Sequence, residues 1–231
     1  MSLFAIADTH LSFGTDKPMD IFSGWQDYEK RLENMWRSVV KDDDTVVVAG
    51  DISWAMSLEE AKEDFAFLDS LPGTKIIMKG NHDYWWSTKS KADRFFLENN
   101  MTTLKILHNN AYLVEGFSLC GTRGWSMECE KSEDKKVLLR EVGRLEVSIA
   151  EGKKLGGELI VFLHYPPVSS GMIESGEISS VLEREGVKRC YYGHLHGASH
   201  RTAVNGEVNN VKYSLISGDY LKFCPKLIEK F

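Results

Sequence analysis

The chain has 231 residues, 27% of them charged and 42% hydrophobic, with a formal net charge of −6. That is the balance of a globular protein large enough to bury about three quarters of the surface its unfolded chain exposes, and it argues against a disordered or membrane-spanning chain. The acidic balance gives no general attraction to phosphate backbones, so long nucleic acid is a poor partner.

Leu3–Ala7 reads as a first buried strand, followed by a Gly, Asp and Pro-rich loop from Leu11 to Gly24 that is expected to wall a pocket. Trp25, Tyr28, Leu32, Met35, Trp36 and Val39 recur at helical spacing. After a second strand, Thr45–Ala49, helical spacing recurs at Leu58, Ala61, Phe65 and Leu68 behind a Ser57-x-x-Glu60 capping box. Lys75–Met78 reads as a third strand and Thr88–Glu98 as a third helix. Three shorter strand-like pieces follow, near Lys105–Leu107, Ala111–Val114 and Phe117–Cys120. A charged surface helix is expected over Ser132–Ala150, weakened by Gly143, and then strands at Leu159–Leu163 and Cys190–Tyr192. Asn205-Gly206 predicts a tight type I′ hairpin turn between Arg201–Val204 and Glu207-Val208. Parallel βα units followed by hairpins argue for an α/β fold with a mixed sheet or two packed sheets flanked by helices. No repeat or linker divides the chain, so one domain over residues 1–231 is expected. Cys120, Cys129, Cys190 and Cys224 lie far apart without a C-x-x-C pair, and no hydrophobic signal segment precedes the first strand. Reduced thiols and a cytoplasmic location are therefore expected.

Five of the apolar runs end on groups that bind hard or borderline metal ions. They lead into Asp8-Thr9-His10, Gly50-Asp51, Gly80-Asn81-His82-Asp83, His164 and Gly193-His194-Leu195-His196. In layered α/β folds ligands collect beyond the carboxyl ends of strands, so five distant segments are expected to meet at one metal site. Asp8 and His10, two residues apart at a strand end, should point to one side and grip one ion, and His194 and His196 should repeat that geometry. Asp51 has two oxygens and suits a ligand shared by two ions about 3.5–4 Å apart. Asn81 offers a neutral oxygen and His164 a nitrogen. Any one of these residues has an ordinary use in a turn or a core. Five of the seven histidines nevertheless occupy such positions, in one order.

At these residues the chain resembles the calcineurin-like metallophosphoesterase superfamily, whose signature runs D-x-H, GD, GNH(D/E), H and GHxH. The resemblance spans residues 8 to 196, with every core position filled. It implies a four-layer sandwich of two mixed sheets between helices. It also implies one metal on Asp8, His10, Asp51 and His196, and a second on Asp51, Asn81, His164 and His194. Two divalent ions, with Mn or Fe favoured and Zn also suited, would neutralise a phosphate and activate a bridging hydroxide for direct attack. His82 is implied to stabilise developing charge and protonate the leaving oxygen, with Asp83 fixing its ring. The Arg-containing stretch of the Ser/Thr protein phosphatases is missing, because Gly50-Asp51 is followed by Ile52-Ser53-Trp54-Ala55-Met56. The expected function is hydrolysis of a small phosphorylated substrate, with phosphodiesters and nucleotides among the candidates. A nuclease is the enzymatic alternative and a non-catalytic scaffold the other.

Trp54, Tyr84-Trp85-Trp86 and Trp125 crowd these motifs. They can be read as a stacking platform for a base or apolar leaving group, or as loop anchors and core, the commoner use of Trp. Arg123, between two glycines, can hold a phosphate oxygen or pair with an acid. His108 and His200 carry no such pattern and are expected to be structural or solvated.

Overall fold

The computed structural model describes residues 1–125, 132–170 and 176–231. The first half contains β1 (Ser2–Ile6), α1 (Tyr28–Val39), β2 (Thr45–Ala49), α2 (Lys62–Ser70), β3 (Thr74–Met78), α3 (Lys89–Glu98) and β4 (Leu104–Ile106). The second contains β5 (Tyr112–Val114), β6 (Phe117–Thr122), α4 (Ser132–Leu155), β7 (Glu158–Leu163), α5 (Glu177–Arg184) and β8 (Arg189–Tyr192). A 3-10 turn (Gly197–Thr202), β9 (Gly206–Val208), β10 (Val211–Leu215) and β11 (Lys226–Lys230) complete it. These strands form two mixed sheets, of order β11-β1-β2-β3-β4 and β5-β6-β7-β8-β10-β9. No helix among the described residues is long and apolar enough to cross a membrane.

The four layers follow from side-chain alternation along strands that are apolar on both faces. Phe4, Ile6, Val46, Val48 and Ile77 face outward onto Leu32 and Trp36 of α1, Phe65 and Leu68 of α2, and Phe95 and Phe96 of α3. Their neighbours Leu3, Ala5, Val47, Ala49, Ile76 and Met78 face inward onto Leu119, Ile160, Phe162 and Tyr191 of the second sheet. Val161, Leu163, Cys190 and Tyr192 then meet Leu138, Leu145 and Ile149 of α4 and Val181 and Leu182 of α5. Beyond β1, the Ala7 amide donates to the Ile216 carbonyl (2.8 Å), which joins the carboxyl ends of the two sheets. The loops that carry the candidate ligands leave from this shared edge.

Several local expectations are corrected. Trp25 precedes α1, and Met35 is exposed because it lies off the stripe formed by Tyr28, Leu32 and Trp36. Leu58 and Ala61 stand before α2. The Glu60 carboxylate accepts from the Met56 amide rather than from Ser57, so the capping box is only half formed, although the Ser57 hydroxyl does accept from the Glu60 amide. The α4 helix extends to Leu155, and its Leu138, Leu145 and Ile149 side is core. The hairpin turns at Asn209-Asn210 rather than at Asn205-Gly206. Both asparagines are left-handed (φ 50° and 64°), as a type I′ turn requires. Asn205 instead uses its side-chain oxygen to accept from the Leu215 amide (2.9 Å). Cys120, Cys190 and Cys224 are unpaired thiols, and Cys129 lies outside the described residues.

Candidate metal centre

Four of the expected ligand-bearing residues and their neighbours leave the strands through left-handed backbone. Asp8 (φ 60°), His10 (φ 43°), Asp51 (φ 50°) and His194 (φ 73°) all have positive φ, as does Gly50 (φ 89°). Strand alternation therefore does not bring Asp8 and His10 together, because β1 has already ended at Ile6. The convergence comes from turns that cost roughly 1–3 kcal/mol at each non-glycine residue and persist because the surroundings hold them. The backbone amides of Asp8, His10 and Leu11 donate to the carbonyls of Gly50 (2.9 Å), Asp51 (2.9 Å) and Ile52 (2.8 Å), lacing the first two loops together. The His82 amide donates to Asp51 Oδ1 (2.7 Å) and the His194 amide to Asp8 Oδ2 (2.9 Å). Gly80 is obligatory in this arrangement, since a Cβ there would lie 2.1 Å from Asp51 Oδ1.

Two groups of donor atoms result. Asp8, His10 and His196 form one, and Asp51, His164 and His194 the other, with the ligand atoms of each group within 4.8 Å of one another. Asp51 Oδ2 lies 3.8 Å from His10 Nε2 and 3.4 Å from His164 Nε2, between the two groups. Asn81 Oδ1 stands 2.7 Å from His164 Nε2 and 2.9 Å from His194 Nδ1. His10 Nε2 and His196 Nε2 face each other at 3.3 Å, a contact in which two lone pairs clash unless a proton or a cation lies between. Asp8 Oδ1 and His10 Nδ1 are buried without a hydrogen-bond partner. A buried orphan carboxylate oxygen and mutually facing imidazoles are what a cation would satisfy, so the donor set fits two metal ions.

The electrostatics agree. Burial opposes charge on Asp8 and Asp51, yet the surrounding imidazoles hold both carboxyls below the usual range. Burial also opposes charge on His164 and His196, but the carboxylates outweigh it and push them up to about 9 and about 10. Burial pushes His10 and His194 down to about 4. A cation binding here would displace protons, because imidazole ligates only when neutral. His164 Nδ1 meets the Ala49 carbonyl (3.1 Å) and His196 Nδ1 meets Asp219 Oδ1 (3.0 Å), which leaves Nε2 of each ring facing the cluster.

His82 is half-buried beside this centre, its ring 4.4 Å from Trp54 and its Nδ1 3.1 Å from the Tyr84 hydroxyl. Asp83 does not fix that ring. Its carboxylate is buried and accepts from the amides of Gly80, Ile52 and Ser53 and from Trp85 Nε1, which makes it the clamp between two ligand loops. Trp54 stacks on His10 (5.0 Å), and Trp85 is core, packed on Phe65. Trp125 lies away from the ligands, against Tyr165 (5.4 Å) and under the Arg123 guanidinium (4.6 Å), and Arg123 is 3.5 Å from Glu141.

Three residues join the site that sequence reasoning missed: Asp219, Tyr165 with its ring 4.2 Å from His194, and Trp25 with its ring 5.6 Å from His196. Asp219 also accepts from the Gly197 amide (3.0 Å) and lies 3.2 Å from His200 Nε2, which explains His200. One signal could have found it: Gly218-Asp219 after Tyr213–Ile216 repeats the pattern of Gly50-Asp51 after Thr45–Ala49.

Comparison with known proteins agrees with this geometry. Over 123 residues the chain is 26% identical to the uncharacterized protein MJ1445 of Methanocaldococcus jannaschii, covering 49% of this chain and 67% of that protein. Its fold is shared with a protein of unknown function, AQ665 from Aquifex aeolicus (TM-score 0.52, 14% identity, 98% and 95% of the two chains). TT1561 of Thermus thermophilus also shares it (TM-score 0.54, 13% identity, 84% and 81%). These identities carry the fold alone. Residues 1–198 match the family model of the calcineurin-like phosphoesterases. That match holds every ligand-bearing loop described above, and the chain therefore belongs to the calcineurin-like phosphoesterase family.

Proposed function

We propose that this protein is a dinuclear metal-dependent phosphoesterase that hydrolyses small phosphate esters directly, without a covalent enzyme intermediate. The observation that carries the reading is Asp51 Oδ2, set between His10 Nε2 and His164 Nε2 at 3.8 and 3.4 Å, where one carboxylate can serve two ions. Asp8, His10, Asp51 and His196 would hold one ion and Asp51, Asn81, His164 and His194 the other. Bound there, a pair of divalent ions supplies charge neutralisation for phosphate oxygens and lowers the pKa of water. No nucleophilic side chain is needed in this scheme.

The chain's own contribution centres on His82. His82 Nδ1 lies 3.1 Å from the Tyr84 hydroxyl; in the tautomer where that hydroxyl donates to Nδ1, the ring proton sits on Nε2, free to be given to the leaving oxygen as charge develops there. Trp54 packs against the same ring, 4.4 Å away, and would restrict its motion. Asp83 holds the Gly80 loop against Ile52 and Ser53, so Asn81 and His82 keep their positions when substrate binds. Trp54 and Tyr84, both against His82, would contact the leaving group.

The test is hydrolysis of matched aryl phosphomonoester and phosphodiester substrates by manganese-reconstituted protein, with Asp51→Asn as the blank. Turnover in the wild type, with loss of both activity and one metal equivalent in the variant, is expected. Full metal stoichiometry in Asp51→Asn contradicts the shared-ligand assignment, and wild-type activity no higher than the blank contradicts the enzymatic reading.

A further inference from the structure

Beside the metal centre lies a cavity of about 280 Å³ that the chemistry above does not use. It opens between the ends of β3, β4 and β6 and the first half of α4, and its walls include Lys79, His108, Arg123, Arg140 and Arg144. Among the described residues, three arginines and a lysine therefore face one carboxylate, Glu141. That carboxylate is buried and already occupied: Thr122 Oγ1 and Arg144 Nη1 each donate to it at 2.6 Å, and Arg123 Nη2 lies 3.5 Å away. Arg123 Nε is buried without a partner, and no ion pair engages Lys79 or Arg140 among the described residues. In a chain of net charge −6, this surplus of positive charge is local.

Such a surplus costs free energy unless an anion offsets it. Guanidinium forks at Arg123, Arg140 and Arg144 match the oxygens of a phosphate, whose double charge suits the surplus better than a single carboxylate does. The cavity also shares backbone with the metal centre. Lys79 is two residues from Asn81, a span of at most ~7 Å, and the Arg123 carbonyl accepts from the His164 amide (3.1 Å).

We propose that this cavity binds a second phosphate group of the substrate, so that the preferred substrates are phosphoesters bearing a further phosphate a few bonds from the one hydrolysed. This rests on the phosphoesterase reading and adds to it a substrate class. Met78, Leu107 and the Trp86 ring supply an apolar side along which the intervening carbon chain would lie.

Two measurements test it. In the first, inorganic phosphate is titrated calorimetrically, in the presence of chelator, into Asp51→Asn protein and into the same protein carrying Lys79→Gln and Arg140→Gln, two cations that do not anchor Glu141. Binding that weakens roughly tenfold or more on removing the two charges is expected. No binding, or equal binding by both proteins, overturns the proposal. In the second, manganese-reconstituted wild type and the Lys79→Gln/Arg140→Gln variant are compared on 1,3-propanediol bisphosphate and 1-propyl phosphate. The bisphosphate is expected to have a KM lower by roughly tenfold in the wild type, an advantage that disappears in the variant. Phosphate binding with equal KM for the two compounds overturns the substrate assignment in favour of a free-anion site. Phosphate binding with no hydrolysis of either compound removes the phosphoesterase reading and the substrate assignment with it.

Discussion

Replacing Asp219 by Ala removes the group that orients His196 from outside the metal centre. Its carboxylate is nearly buried, with Oδ1 3.0 Å from His196 Nδ1 and Oδ2 accepting from the Gly197 amide at 3.0 Å. The His196 side chain is 31% exposed, and its other neighbours, the rings of Trp25 and His10 and the Asp8 carboxylate, do not engage Nδ1, so Asp219 holds that side of the ring. Losing the partner of a ligating imidazole costs about 10–100-fold in metal affinity, equivalent to about 1.4–2.7 kcal/mol. That loss should fall on the ion held by Asp8, His10 and His196 and spare the one held by Asp51, His164 and His194. Competition with a chromophoric chelator, with metal content measured in parallel, resolves the two affinities. Asp219→Asn keeps an acceptor oxygen but loses the charge, and should fall between wild type and Ala. If Asp219→Ala bound both ions within twofold of the wild type, the orientation argument would be wrong.

The other expectations concern the proton donor and a buried acid. His82→Ala should lower kcat by roughly 10²–10⁴-fold with metal content unchanged, and less so for nitrophenolate than for alkoxide leaving groups, since the former needs no proton. Tyr84→Phe should cost under about tenfold, because only the tautomer of His82 is loosened; unchanged kcat in both variants, on an alkyl ester, would remove His82 from the mechanism. Asp64 is fully buried, accepting from the Ser53 hydroxyl and from the Phe13 amide at 2.7 Å, and burial pushes its carboxyl up to about 6. The folded chain thus binds this proton more tightly than the unfolded chain. Its contribution to stability is full below about pH 4 and is lost as the pH rises to about 6. Asp64→Asn, which can keep both contacts, should match the wild type near pH 4 and exceed it above pH 6 by up to about 3 kcal/mol. A difference in Tm between the two proteins that is the same at pH 4.5 and pH 7 would show that Asp64 does not titrate in this way.

Much of this architecture is legible in the amino-acid sequence. Val46-Val47-Val48 and Ile160-Val161-Phe162 are apolar on both faces, and only a strand covered on both sides can bury such a run. The polar groups that end those runs mark the sheet edge where ligands collect in layered α/β folds, which is why Asp8, His10, Asp51, Asn81, His164, His194 and His196 could be named as candidate ligands before their distances were known. Residue type and strand position determine that much, because hydrophobic burial and metal-ligand chemistry are local properties.

The remainder depends on relations between distant segments. Left-handed backbone at Asp8, His10, Asp51 and His194 is unfavourable in isolation and exists because hydrogen bonds from other loops hold it. Asp83 resembles an orienting acid in sequence, but its oxygens are taken by three amides and an indole, two of those amides from the neighbouring Ile52-Ser53 loop. The hairpin register followed the Asn209-Asn210 turn although Asn205-Gly206 is the stronger turn signal as sequence, since the pairing of β9 with β10 decides the register. Asp219 reaches His196 from a segment 23 residues later, and the basic cavity gathers Lys79 and Arg123, just beyond β3 and β6, with Arg144 of α4. Which chemical groups lie at the edge of the sheets was determined by the sequence alone. Which atoms meet there, and with what surplus of charge, was decided only by the packing of the two sheets, because distances between remote residues are a property of the whole fold.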